Sequence, residues 1–151
     1  MTHFETAIDI QAPSESIWSV LRDIGHWSEW TPTITSIRPL DPGPLAIGAR
    51  AIVRQRGLLP ARWQVTEIEE GRSFTWITPG PGVRVTARHA VEGTGAGSRV
   101  KLSLDFSGPL GSFVAHLTRR LNARYPALDA QGLRNCAEAA HAKDQRDGGR
   151  Q

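Results

Sequence analysis

The sequence predicts an α+β fold, an antiparallel sheet followed by a long C-terminal helix. Three observations carry this. From Phe4 to Phe106, apolar and polar residues alternate in short segments, the period of strands with one buried face. The joints between segments are short and rich in Pro and Gly, which suits antiparallel meanders and leaves no room for βαβ crossovers. From Leu110 onward the apolar spacing changes to three and four, the repeat of a helix face.

Phe4, Thr6, Ile8 and Ile10 share one face of the first strand, opposite Glu5, Asp9 and Gln11. Pro13 suits the first turn of a helix, where its missing N–H has no partner to lose. Ile17, Val20, Leu21 and Ile24 continue at helical spacing, and Gly25 is the expected stop. Trp27 to Pro32 reads as a second short helical turn, closed before proline. Strands are then expected from Ile34 to Leu40 and from Ile47 to Gln55. Further strands are expected around Trp63 and Val65, over Phe74–Ile77, from Val83 to Val91, and from Val100 to Phe106. In the strand from Ile47 to Gln55, Ile47, Ala49, Ala51 and Val53 face inward and the arginines outward. The inward parity of Phe74–Ile77 is undecided. Leu110, Val114, Leu117, Leu121, Tyr125, Leu128, Gly132 and Cys136 form one stripe along the last helix, which Pro126 is expected to kink or divide. The domain is expected over residues 1–142, with 143–151 as a disordered tail that has nothing to bury.

At 151 residues there is material for one core, and 39% hydrophobic with 22% charged residues is a globular balance. No apolar run is long enough to span a bilayer, and the N-terminus lacks the pattern of a signal peptide, so a cytoplasmic location without membrane insertion is expected. A single cysteine, Cys136, excludes an internal disulfide and reads as a packing thiol. The net charge of +3 comes mostly from arginine. With no recognition helix, zinc pattern or aromatic RNA-binding strand, nucleic acid is not an expected partner. His3, His26, His89, His116 and His141 have no paired spacing, so no metal is expected. Gly93–Gly97 lies between strands with no Lys-Ser/Thr after it, a hairpin turn and not a phosphate loop.

Residues Ile8–Pro13, Ile17–Asp23, Trp27–Pro32, Gly48–Arg50, Trp63 and the His89–Val100 hairpin resemble the START-like helix-grip superfamily. The likeness is to its polyketide cyclase/dehydrase and lipid-transport (SRPBCC) group and extends to about Ala140. It implies a curved sheet of six to seven strands wrapped around the C-terminal helix, with two short helices after the first strand. A cavity for a lipid, polyketide or isoprenoid-like molecule is implied between sheet and helix, with no cofactor. Members of this group include enzymes, carriers and receptors, so the fold alone does not choose among them. Small inward residues, Ala49, Ala51, Val53, Val85 and Ala87, agree with an unfilled interior.

His89 shares a face with Val85, Ala87 and Val91 and is expected to point inward, either as a hydrogen-bonded core histidine or as an acid/base group. Tyr125 can polarise a carbonyl or place its hydroxyl at a cavity mouth. With Gln55, these two supply the polar groups that orient a ligand. The expected lining comprises Trp27, Trp30, Val53, Gln55, Trp63 and Trp76, with Val85, Ala87, Leu117 and Leu121. Glu67 follows the parity of Trp63 and Val65 but sits at a strand end, which favours a solvated carboxylate. Arg119, Arg120, Arg124 and Arg134 read as a solvated helix face able to attract an acidic acyl carrier protein; a homodimer is a further possible partner. Two functions lead, a carrier that sequesters a hydrophobic metabolite or a cyclase/aromatase/dehydratase using His89 and Tyr125; a chaperone-like or protein-interaction domain working through its helix surface stands well behind them.

Overall fold

The computed structural model describes residues 2–148. β1 (Thr2–Ile10) leads into α1 (Ser14–Arg22) and a 3-10 helix (Ile24–Glu29). β2 (Ile34–Pro39), β3 (Arg50–Gln55), β4 (Ala61–Glu69), β5 (Ser73–Gly80), β6 (Val83–Thr94) and β7 (Gly97–Ser107) then run as a meander. α2 (Gly111–Leu117) and α3 (Arg119–Gly148) complete the chain. The seven strands form one antiparallel sheet in the order β1-β7-β6-β5-β4-β3-β2. It curls into a half-barrel around α3, the helix-grip arrangement.

The alternation of β1 is read correctly: its even residues are covered and its odd ones exposed. The undecided parity of β5 resolves with Phe74 and Trp76 inward, beside His89 and Ala87 of β6. A register shift between Val65 and Glu67 breaks the parity of β4 and leaves the Glu67 carboxylate in solvent, the solvated role expected of it.

Several boundaries differ from expectation. β3 starts at Arg50, not Ile47; Ile47 is exposed at a turn that Gly48, at φ 90°, makes as the chain joins β4. α1 ends at Arg22, before Gly25, which lies inside the 3-10 helix. The C-terminal helix divides at Thr118 and runs uninterrupted through Pro126. At that break the Asn122 amide donates to the Thr118 hydroxyl (2.8 Å) and the Ala115 carbonyl (3.4 Å), bridging α2 and α3. Residues 143–148, expected to begin a disordered tail, continue α3 with exposed side chains; the remainder of that segment lies outside the described residues.

The buried face of α3 is also rotated by about one residue from the apolar stripe. Asn122, Pro126, Ala130, Leu133 and Ala137 are buried, whereas Leu121, Tyr125, Leu128, Gly132 and Cys136 are half-buried at its edge. Gly132 permits this seating, since a Cβ there would overlap the Trp30 carbonyl oxygen. Half-burial, together with nearby Glu29, pushes the Cys136 thiol pKa up, so this cysteine is a poor nucleophile.

Candidate functional site

A cavity of about 460 Å³ lies between the concave face of the sheet and α2–α3. That is within the ordinary range for a small-molecule site. It exists because inward positions of the central strands carry small side chains, Val53, Ala61, Val85 and Ala87, where bulk would be needed to reach the helix. Trp63 and Trp76 form one aromatic wall, with ring centroids 5.4 Å apart. Trp27, from the 3-10 helix, closes the inner end and donates its indole N–H to the Leu21 carbonyl at 3.0 Å.

His89 lines this inner end. Its ring stacks on Phe74 at 4.6 Å and 12° and lies 5.0 Å from Trp27. Nδ1 is buried and has no hydrogen-bond partner among the described residues. Burial in this aromatic setting lowers the pKa from 6.5 to about 3, so the imidazole is neutral at physiological pH. A neutral ring carries one donor and one acceptor nitrogen, and the protein fixes neither through a hydrogen bond to Nδ1. Nδ1 therefore lacks the hydrogen bond expected of a bonded core histidine.

Asp129 is a cavity residue that sequence reasoning missed. It reaches the interior from α3, one turn beyond Tyr125. Its Oδ1 accepts hydrogen bonds from the hydroxyls of Thr31 and of Thr33, the latter at 2.7 Å. Burial raises its pKa, against the opposing pull of the two hydroxyls. The Gln55 amide donates to the Thr33 hydroxyl at 3.5 Å, which extends this polar strip onto β3. The available signal was Thr31-Pro32-Thr33, two hydroxyls two residues apart, and a carboxylate at i+4 from Tyr125 on a helix facing the cavity.

At the other end the cavity opens. Tyr125 donates its hydroxyl to the Arg56 carbonyl, fastening α3 to the turn between β3 and β4. Gly57 holds that turn at φ 77°, and Leu58 and Leu59 beyond it form part of the rim. Of the expected lining, Trp27, Val53, Gln55, Trp63, Trp76, Val85, Ala87 and Leu121 do border the cavity, with His89 and Tyr125. Trp30 does not; it is half-buried behind Trp27, 5.6 Å from that ring. Leu117 does not either, since α2 turns Val114 and Thr118 inward and points Leu117 into solvent.

The same architecture occurs in solved structures of low identity. A hypothetical protein of Helicobacter pylori aligns with a TM-score of 0.74 and 16% identity, over 89% of this chain and 86% of its own. The Zhui aromatase/cyclase of a Streptomyces species gives 0.67 and 18%, over 91% and 93%. A norcoclaurine synthase point mutant of Thalictrum, bound to a transition-state analogue, gives 0.68 and 15%, over 90% and 93%. At such identities the likeness establishes the fold alone. No curated protein sequence matches significantly. The family model described as "Polyketide cyclase / dehydrase and lipid transport" matches residues 1–141, and the chain therefore belongs to that family.

Proposed function

We propose that the protein binds a small hydrophobic molecule with one polar end and carries or sequesters it. The observation that carries this reading is the composition of the cavity: about 460 Å³, walled by Trp, Val, Ala and Leu, with its few polar groups confined to particular places. The apolar body of a ligand displaces water from the aromatic wall, worth about 25 cal/mol per Å² of apolar surface covered. Its polar end meets the neutral His89 ring or the Asp129 carboxyl, groups whose pKa values burial has shifted. Family membership supports a lipid, polyketide or isoprenoid-like guest.

The test is cavity filling. Ala87 is buried and faces Trp76 across the β5–β6 pair, so Ala87→Trp projects an indole into the void. Wild-type protein is expected to bind a neutral apolar fluorophore such as N-phenyl-1-naphthylamine saturably, and Ala87→Trp to bind it at least about tenfold more weakly while keeping its far-UV spectrum. Equal affinity in a folded variant would sink the reading. Native mass spectrometry of gently purified protein is expected to reveal a co-purifying apolar molecule.

A second reading, a cyclase, aromatase or dehydratase, draws on one observation: two ionisable groups facing one cavity with pKa values displaced in opposite directions from the ordinary order. His89 and Tyr125 would be its acid/base groups, with the Asp129 carboxyl facing the same cavity. Under this reading His89→Phe retains fluorophore binding and abolishes turnover of a polyketide-like substrate; under the carrier reading there is no turnover to lose.

A further inference from the structure

The apolar groups that do not enter the cavity are gathered around its mouth. Leu59 on the β3–β4 turn is 87% exposed, and Phe113 and Leu117 on α2 are 61% and 67% exposed. Leu110, also exposed, stands at i, i+3 and i+7 with Phe113 and Leu117, so one outward stripe of α2 is apolar. This inverts the usual rule for a surface helix: Val114 and Thr118 already face the cavity, and the side left to solvent is apolar as well. The two patches border a single opening, because Leu59 and Val114 both line the same cavity as their neighbours Leu58 and Leu121.

The two chain segments that form this rim carry charge of one sign. From Ser107 to Leu128 there is no Asp or Glu, and from Pro42 to Thr66 there is none either. Arg56 precedes the Leu58-Leu59 tip, and Arg119, Arg120 and Arg124 follow Leu117; all four are exposed. The arginines that form ion pairs, Arg22, Arg50, Arg72 and Arg99, are different ones. The rim arginines have no carboxylate partner among the described residues. The one carboxylate facing inward here, Asp129, is bound by threonine hydroxyls inside the cavity.

Protruding leucine and phenylalanine side chains ringed by unpaired arginines match one kind of surface. We infer that the mouth docks on an anionic lipid bilayer, with Leu59, Phe113 and Leu117 entering the interface and the arginines meeting lipid phosphates. A second copy of the chain fits poorly, because a twofold contact would face arginines with arginines. No helix of the described residues is long and apolar enough to cross a membrane, so the contact is peripheral. This inference rests on the carrier reading: docking the mouth lets an apolar guest pass between bilayer and cavity without crossing water.

The experiment is vesicle co-sedimentation of the full chain. Phosphatidylcholine vesicles containing phosphatidylglycerol are expected to pull it down, and pure phosphatidylcholine to do so at least about tenfold less well, with the difference removed by high salt. Arg119→Glu with Arg120→Glu is expected to lower binding to anionic vesicles about a hundredfold, and Phe113→Ser with Leu117→Ser at least about tenfold. All four positions lie outside the cavity lining, so fluorophore binding in solution should be unchanged in both variants. Vesicle binding without fluorophore uptake would overturn the carrier reading and leave the docking surface standing. Failure to bind anionic vesicles, or variants that bind them as well as wild type, would overturn the docking surface. So would arginine-dependent binding of an acidic acyl carrier protein in place of vesicles.

Discussion

The two ends of the space between sheet and helix are built from the same elements and filled in opposite ways. At the inner end Trp27, Phe74, Trp76 and His89 interlock, with centroid separations of 4.6 to 6.0 Å. Trp18 adds its edge from α1, and Phe74 is fully buried. At the mouth the inward positions shrink to Val53, Ala61 and Val85, and the large apolar groups stand outside. Packing and open space are thus divided between the two ends: aromatic rings fill one, and their absence leaves room at the other.

The largest effect expected from this contrast is on stability. Phe74→Ala should cost about 4 kcal/mol, because the rings around it cannot all collapse into the gap. Phe113→Ala, the same truncation on the rim, should stay within about 0.5 kcal/mol of wild type. Urea titration measures both; similar losses at the two sites would erase the distinction.

Next in size is the acid limb of the stability curve. The folded pKa of His89, near 3, lies below the 6.5 of the unfolded chain. Between those values the unfolded chain binds more protons, so stability rises with pH across the window and is lost as pH falls toward 3. About 2 kcal/mol attributable to His89 should disappear between pH 6.5 and about 4.5. His89→Phe, which keeps a ring against Phe74, should lack that component. If its titrations at the two pH values parallel those of wild type, the ring is not held neutral by burial.

The smallest effect is at the mouth. Tyr125→Phe removes the tether to the Arg56 carbonyl and should cost about 1 kcal/mol. It should also release a bound fluorophore a few-fold faster in stopped-flow. Slower release would mean that the phenol holds the opening apart and does not close it.

Alternation made the sheet legible, because each strand has one wet face and one covered face; β1 and β7 are the clearest cases. Where pairing is interrupted the period misleads: the parity of β3 extends backward through Ile47 in the sequence, but Gly48 breaks the chain path. The helix face was displaced because apolar and buried are different properties here. Asn122 and Pro126 are buried, and Leu117 is not, since the helix borders a void and an open mouth where it would otherwise meet a filled core. The polar side of the cavity was half legible. His89 announced itself by strand parity, whereas Asp129 has no such parity to place it, its Thr31 and Thr33 partners lying about a hundred residues away in sequence.

The seat of Gly132 against Trp30 has a mechanical consequence. Backbone rests on backbone there, so α3 has no compliant side chain to compress and cannot slide or settle closer at that level. Under the proposed carrier function, a guest too wide for the chamber is expected to be accommodated beyond this fulcrum, at the Tyr125 end, with the aromatic floor left in place.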